Sequence, residues 1–366
     1  MMTRRERLRR CYFHEELDRP AVFSRTWFPR DDATYDRLRA YLAERAELKR
    51  SWAPWRAVPA WPVETRVEPH TEDFERRIEI LHTPKGDLRR SFLLSRKGQP
   101  GMEESRYIKD REDAERYLSL PEQTLTADPA DFFVADVEIA EAGIVDVHIG
   151  HNPGGRTAEL CGSENFALMS VTDRDLLHEI CERETRKLVA LVRWLHARRI
   201  GPFFSMAGEE MIAPPLHGPE DFRDFNIRYD RRIIEAVHEG GGRMHIHCHG
   251  DLKKILPQFV EIGCDVLHPF EGAPTSDLTA REAKAIARGR LCLEGNIQIN
   301  RLYEADPADI AEETRRLIAD AFDDRRGLIV SPTASPYIRG AGEVCFERYR
   351  AMVETVRAAS SVATVP

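Results

Sequence analysis

From residue 201 onward, short apolar runs alternate with amphipathic stretches, and the alternation has the rhythm of strand and helix. Residues 201–206 predict a buried strand, and 219–239 a helix ended by Gly240-Gly241-Gly242. Residues 243–249 predict a strand and 252–262 a helix stopped by Gly263. The pattern then repeats as strand 264–269, helix 277–288 opened by Ser276, strand 291–295 and a helix from Asp306 to about 322. A strand at 327–331 and a helix at 342–359 complete it. Upstream, 20–24 and 144–149 read as further strands, and 173–199 as a long helix. Such alternation predicts βαβ units around a parallel sheet. The economical expectation is one α/β (β/α)8 TIM barrel spanning residues 1–366, with a doubly wound sheet as the alternative.

Residues 52–135 break the rhythm. They hold Trp52, Trp55, Trp61 and several prolines, and alternate in polarity at 76–81 and 88–94 around Pro84-Lys85-Gly86-Asp87. A β-hairpin insert packed on the barrel is expected there. His151-Asn152-Pro153-Gly154-Gly155-Arg156 lacks the spacing of a phosphate-binding fingerprint and is expected to be a flexible loop at the site.

Chemistry gathers where the predicted strands end. His245, His247 and His249 alternate along one strand, so all three project to one face, within reach of one metal ion. Cys248 points the other way and reads as a buried thiol. In a barrel, the C-terminal strand ends carry the site. Those ends offer Arg25, Asp146, His148, the pair Glu209-Glu210, His268, Glu271, Glu294, Asn296 and Ser331. Adjacent carboxylates repel, which suits Glu210 to proton transfer, although Glu209 is as well placed to cap a helix. Catalysis is expected of Glu210, Arg25 and Asn296, and substrate binding of Asp146, His148, Glu294 and Gln298.

Charge and cysteine usage narrow the class. A formal net charge of -8 argues against nucleic acid or an anionic membrane as the main partner. There is no apolar run of about 18 residues, and the Arg-rich start lacks the apolar core of a signal peptide. Seven scattered cysteines without a Cys-x-x-Cys pair read as reduced thiols, so a cytoplasmic enzyme is expected.

With Leu17-Asp18-Arg19-Pro20, Tyr107-Ile108-Lys109-Asp110, His247-Cys248-His249-Gly250, Gly263-Cys264-Asp265-Val266-Leu267 and Gly295-Asn296-Ile297 in this order, the chain resembles the uroporphyrinogen decarboxylase superfamily. The resemblance implies a (β/α)8 barrel and is nearer to the cobalamin-dependent methyltransferase branch than to the decarboxylase itself. That branch binds zinc with a His-x-Cys-Gly motif on the fifth strand and a Cys near the eighth. Here the motif reads His-x-His, and 331–336 contain no Cys. Imidazole ligands in place of thiolates imply a harder, more Lewis-acidic site. By likeness to methionine synthase, the third ligand would be Glu271, giving a His247, His249, Glu271 triad for zinc or another divalent metal, with His268 and Glu210 in reserve. His245 lies deeper, as a supporting or core group. The alternative is that these histidines bond one another, carbonyls and water without metal.

The resemblance implies a metal-dependent methyltransferase or demethylase acting on a small molecule. Its corrinoid acceptor would be carried by a separate protein, since no Asp-x-His-x-x-Gly pattern is present, and the enzyme would be a homodimer. The decarboxylase branch binds substrate carboxylates through arginines. Arg25 is in place, but Phe23-Ser24-Arg25-Thr26-Trp27 lacks the Arg-Gln-Ala-Gly motif of that branch. Arg25 could equally pair with Asp31 or Asp32. A metal-free decarboxylase, a metal-dependent hydrolase or lyase, and a non-catalytic ligand-binding barrel remain the alternatives.

Overall fold

The structure is a computed structural model that describes residues 2–25, 27–97 and 101–359. Eight parallel strands form its centre: β1 (Ala21–Val22), β2 (Leu48–Trp52), β3 (Gly143–His151), β4 (Phe203–Ala207), β5 (Arg243–His247), β6 (Val266–His268), β7 (Cys292–Ile297) and β8 (Leu328–Pro332). Each strand pairs with the next in sequence, and β8 pairs with β1. The ring closes between β1 and β2, where Phe23 bridges Glu47 and the Glu47 N–H donates to the Val22 carbonyl at 2.9 Å. This is a (β/α)8 barrel, and the closure rules out the doubly wound alternative.

The sequence explains the layers. β8 is buried along its whole length, as a strand covered on both faces must be. Outward-facing Val147, Ile246, Leu267 and Val330 pack under helices that include Arg174–His196, Arg228–Glu239, Pro307–Ala321 and Gly342–Ala358. At the N-terminal end, the helix Arg4–Tyr12 plugs the ring, packing Leu8 and Tyr12 with Phe203, Val266 and Ile329. The plug is held by buried ions. Arg7 donates to Asp18 at 2.8 Å and to Glu47 at 2.7 Å, Arg19 also reaches Glu47 at 2.7 Å, and the second Glu47 oxygen accepts the Val22 N–H.

Residues 52–135 depart from a simple hairpin insert. The predicted hairpin is present as Phe74–Leu81 and Leu88–Ser95, but it is the middle of a four-stranded antiparallel sheet with Val63–Pro69 and Met102–Ser105. Trp52 belongs to β2, and 130–135 to the helix Ala130–Ile139. Leu81 and Leu88 share a core with Tyr117 and Leu177, which seats this sheet on the long helix.

The expected loop at 151–156 is instead the start of a helix, Pro153–Cys161. Asn152 caps it by accepting the Gly155 N–H at 2.8 Å, and Pro153 occupies the first turn. The two glycines serve close packing. A Cβ on Gly154 would lie 2.2 Å from Asn226 Oδ1, and one on Gly155 would lie 2.4 Å from the Gly208 carbonyl. No helix among the described residues is long and apolar enough to cross a membrane.

Candidate functional site

The C-terminal strand ends surround a cavity of about 470 Å³. Strand alternation sends Lys49 and Ser51 of β2, Asp146 and His148 of β3, and His245 and His247 of β5 into it. Arg25, Ser205, His249 and Glu294 complete its polar wall.

Hydrogen-bond partners fix the tautomers of its histidines. His268, fully buried, faces the Pro332 carbonyl with Nε2 at 2.9 Å. A carbonyl only accepts, so His268 carries its proton on Nε2. Burial first, and Arg25 second, hold His268 well below the ordinary histidine pKa, so it is neutral and its Nδ1 is an acceptor. The single lone pair of that Nδ1 is shared by an Arg25 N–H at 3.0 Å and the His247 Nδ1–H at 2.9 Å. Burial and the Arg25 charge likewise depress His247, a residue of the cavity wall whose lone pair is left on Nε2.

His249 follows the same logic. Its Nδ1–H donates to Glu271 Oε1 at 2.6 Å, and Glu271 Oε2 accepts from Gln298 at 2.9 Å. Glu271 thereby orients His249, and Gln298 steadies Glu271. The rings of His247 and His249 stand 4.7 Å apart and nearly perpendicular.

In this geometry Glu271 stands behind His249 and His268 stands behind His247, each joined to its histidine by a hydrogen bond. Among the described residues, no three His, Cys, Asp or Glu side chains are gathered closely enough to hold an ion on their own. The donor chemistry at His247 and His249 nonetheless fits a metal. Each is an imidazole with Nδ1 engaged behind it and Nε2 free, as the hydrogen-bond partners of metal-ligating histidines arrange them. A two-histidine site leaves the remaining positions to substrate and water.

β3 and β4 build a second unit. Ser205 Oγ donates to Asp146 Oδ2 at 2.9 Å, so its only proton is used. The His148 Nδ1, 3.1 Å from the same oxygen, must therefore donate to it, leaving Nε2 as acceptor. Burial lowers the His148 pKa, against the pull of Asp146. Deeper still, Lys49 pairs with Glu294, and Lys49 Nζ lies over the rings of Tyr12 and Phe23. Burial pushes Glu294 up, but the Lys49 charge and His245 outweigh it and hold the carboxyl well below its ordinary range.

Several expected site residues lie elsewhere. Glu210 is partly buried, accepts the Gly208 N–H of its own turn at 3.2 Å, and is not among the residues that line the cavity. Asn296 donates to the Phe270 carbonyl at 3.2 Å. Glu209 is fully buried near Asp230, and burial drives the pKa of both acids well above the ordinary range. Ser331 is buried, with its hydroxyl on the Pro332 carbonyl. Arg25 pairs with neither Asp31 nor Asp32; Asp32 instead caps the turn at Ala33–Tyr35 and accepts the Gly340 N–H. Sequence reading missed Lys49, Ser51 and Ser205. The available signal was the alternation of β2, where Lys49 and Ser51 share a face.

Residues 157–359 match the family model described as uroporphyrinogen decarboxylase (URO-D). No curated protein sequence matches the chain. Among solved structures, a methyltransferase from Methanosarcina mazei is similar over 98% of this chain and 99% of its own, at 14% identity and a TM-score of 0.61. A B12-independent methionine synthase from a Shewanella species, solved with selenomethionine, aligns over 82% of this chain and 77% of its own, at 11% identity and a TM-score of 0.45. At 14% identity the likeness to the methyltransferase is one of fold.

Proposed function

The chain belongs to the uroporphyrinogen decarboxylase family, and within that family we propose that it is a metal-dependent methyltransferase or demethylase. The observation that carries this reading is the pair His247 and His249, each with Nδ1 engaged and Nε2 free at one cavity. These two nitrogens would hold zinc or a similar divalent ion. When bound, the ion supplies a Lewis acid that polarises a methoxy or methylamine-type group.

The chain's own residues do the rest. Arg25, anchored on His268, orients an anionic part of the substrate. His148 Nε2, an acceptor in the resting site, would take up a proton from solvent and hand it to the departing oxygen or nitrogen, the role first expected of Glu210. Lys49 keeps Glu294 ionised and the cavity floor fixed. The methyl acceptor in this reading is a corrinoid carried by a separate protein.

A second reading, metal-free decarboxylation on the pattern of the parent family, is favoured by Arg25, which forms no ion pair among the described residues. One assay separates the two. Zinc-loaded protein is given free cob(I)alamin with a panel of methoxylated and N-methylated compounds, and methylcobalamin is followed by absorbance. Methyl transfer that stops on chelation and in His249→Ala supports the proposal. Release of carbon dioxide that survives chelation but is lost in Arg25→Ala replaces it with the decarboxylase, and the absence of any turnover points to a binding protein.

A further inference from the structure

The charges that line the cavity do not cancel where they sit. Lys49 and Glu294 pair with each other. Arg25 and Asp146 pair with nothing: among the described residues neither forms an ion pair, with the other or with any third group. Each is instead pinned by a neutral neighbour. Arg25 donates to His268 Nδ1 at 3.0 Å, on the β6 side, and Asp146 accepts from Ser205 at 2.9 Å, on the β4 side. Asp146 Oδ1 is left without a hydrogen-bond partner. Two opposite charges at one partly enclosed cavity attract, and unpaired charges removed from water are costly. Their separate anchors therefore keep open a gap that a ligand of complementary charge fills best.

We propose that this cavity binds a small zwitterion, with a carboxylate on Arg25 and a protonated amine on Asp146. A simple carboxylate would satisfy Arg25 but set its own charge against Asp146. A simple amine would satisfy Asp146 but meet Arg25. Only a molecule with both groups compensates both sides, and about 470 Å³ leaves room for N-methyl groups and a short side chain. The inference deepens the methyl-transfer reading by naming an N-methylated amino acid as its substrate class, but the binding claim rests on the charge pattern alone.

Titration calorimetry of the full chain, stripped of metal, tests it without any turnover. The ligands are N,N-dimethylglycine and larger N-methylated amino acids, methoxy acids of the same shape, and methylated amines without a carboxylate. The zwitterions should bind at least tenfold tighter than either half-charged series. Asp146→Asn should weaken the zwitterions at least tenfold while leaving the methoxy acids unchanged or tighter, and Arg25→Gln should weaken both. Methoxy acids that match their zwitterionic counterparts, an unaffected Asp146→Asn, or no zwitterion bound at all would each overturn the proposal. The ranking in the unaltered protein decides even where a variant fails to fold. Zwitterion binding without methyl transfer would leave this inference standing while the methyl-transfer reading falls.

Discussion

At the residue scale, the position of one proton decides what each histidine can do. His268 has its Nε2–H on a carbonyl and its Nδ1 taken by two donors, so nothing remains for a ligand. His249 has only Nδ1 engaged, and Glu271 sets that choice. Glu271→Ala should therefore weaken zinc affinity by roughly 10- to 100-fold, measured by competition with a chelating dye, with His249 still present. His148 offers the parallel case for proton transfer. His148→Gln should lower kcat by about 10²- to 10⁴-fold with metal content unchanged, as elemental analysis would show. The histidine run was legible in the sequence because strand alternation alone places 245, 247 and 249 on one face. The roles of Glu210, Asn296 and Gln298 were not, because turn geometry after a strand is unconstrained by period. Glu210 folds back on the Gly208 N–H, and Gln298 reaches the acid behind His249.

At the level of elements, legibility followed apolar content. β6 and β8 are buried along their whole length, so their apolar runs stand out from the helices around them. β2 carries a weaker signal. Lys49 and Ser51 face a polar cavity, and on the outer face Arg50, paired with Glu138, separates Leu48 from Trp52, so no apolar run marks the strand. It nonetheless completes the ring and supplies the lysine that fixes Glu294. The helix Pro153–Cys161 was missed because two glycines at its start imitate a loop, whereas Asn152 and Pro153 in fact begin a helix. Ring closure depends on Glu47, which takes both Arg7 and Arg19 and the Val22 N–H. Glu47→Ala leaves two buried guanidinium groups without it, and the expected loss is about 3–5 kcal/mol in urea unfolding. A loss below about 1 kcal/mol would mean that the closure is held by packing alone.

For the whole molecule, burial of neutral histidines sets the acid limit. Desolvation lowers the pKa of His148, His178, His196 and His217. The unfolded chain therefore takes up protons first, near the ordinary histidine value of about 6.5. Their contribution to stability is full above that pH and is lost as the pH falls towards the depressed values. Glu209 and Asp230, raised by burial, act in the opposite direction, and their contribution declines as pH rises above the ordinary carboxylate range. Tm should drop on acidification from pH 7 to pH 5, and a Tm that is flat or rises across that window would contradict these assignments. The barrel was legible from the alternation of its second half, and the family match covers that same half, from 157 to 359. The proposed metal site rests on His247, at the end of β5, and His249, two residues beyond it. Cobalt(II) titration followed by visible absorption tests that site most directly. One equivalent should bind, with ligand-field bands that disappear in both His247→Ala and His249→Ala while Tm without metal is unchanged. Absence of stoichiometric binding, or bands that persist in both variants, would contradict it.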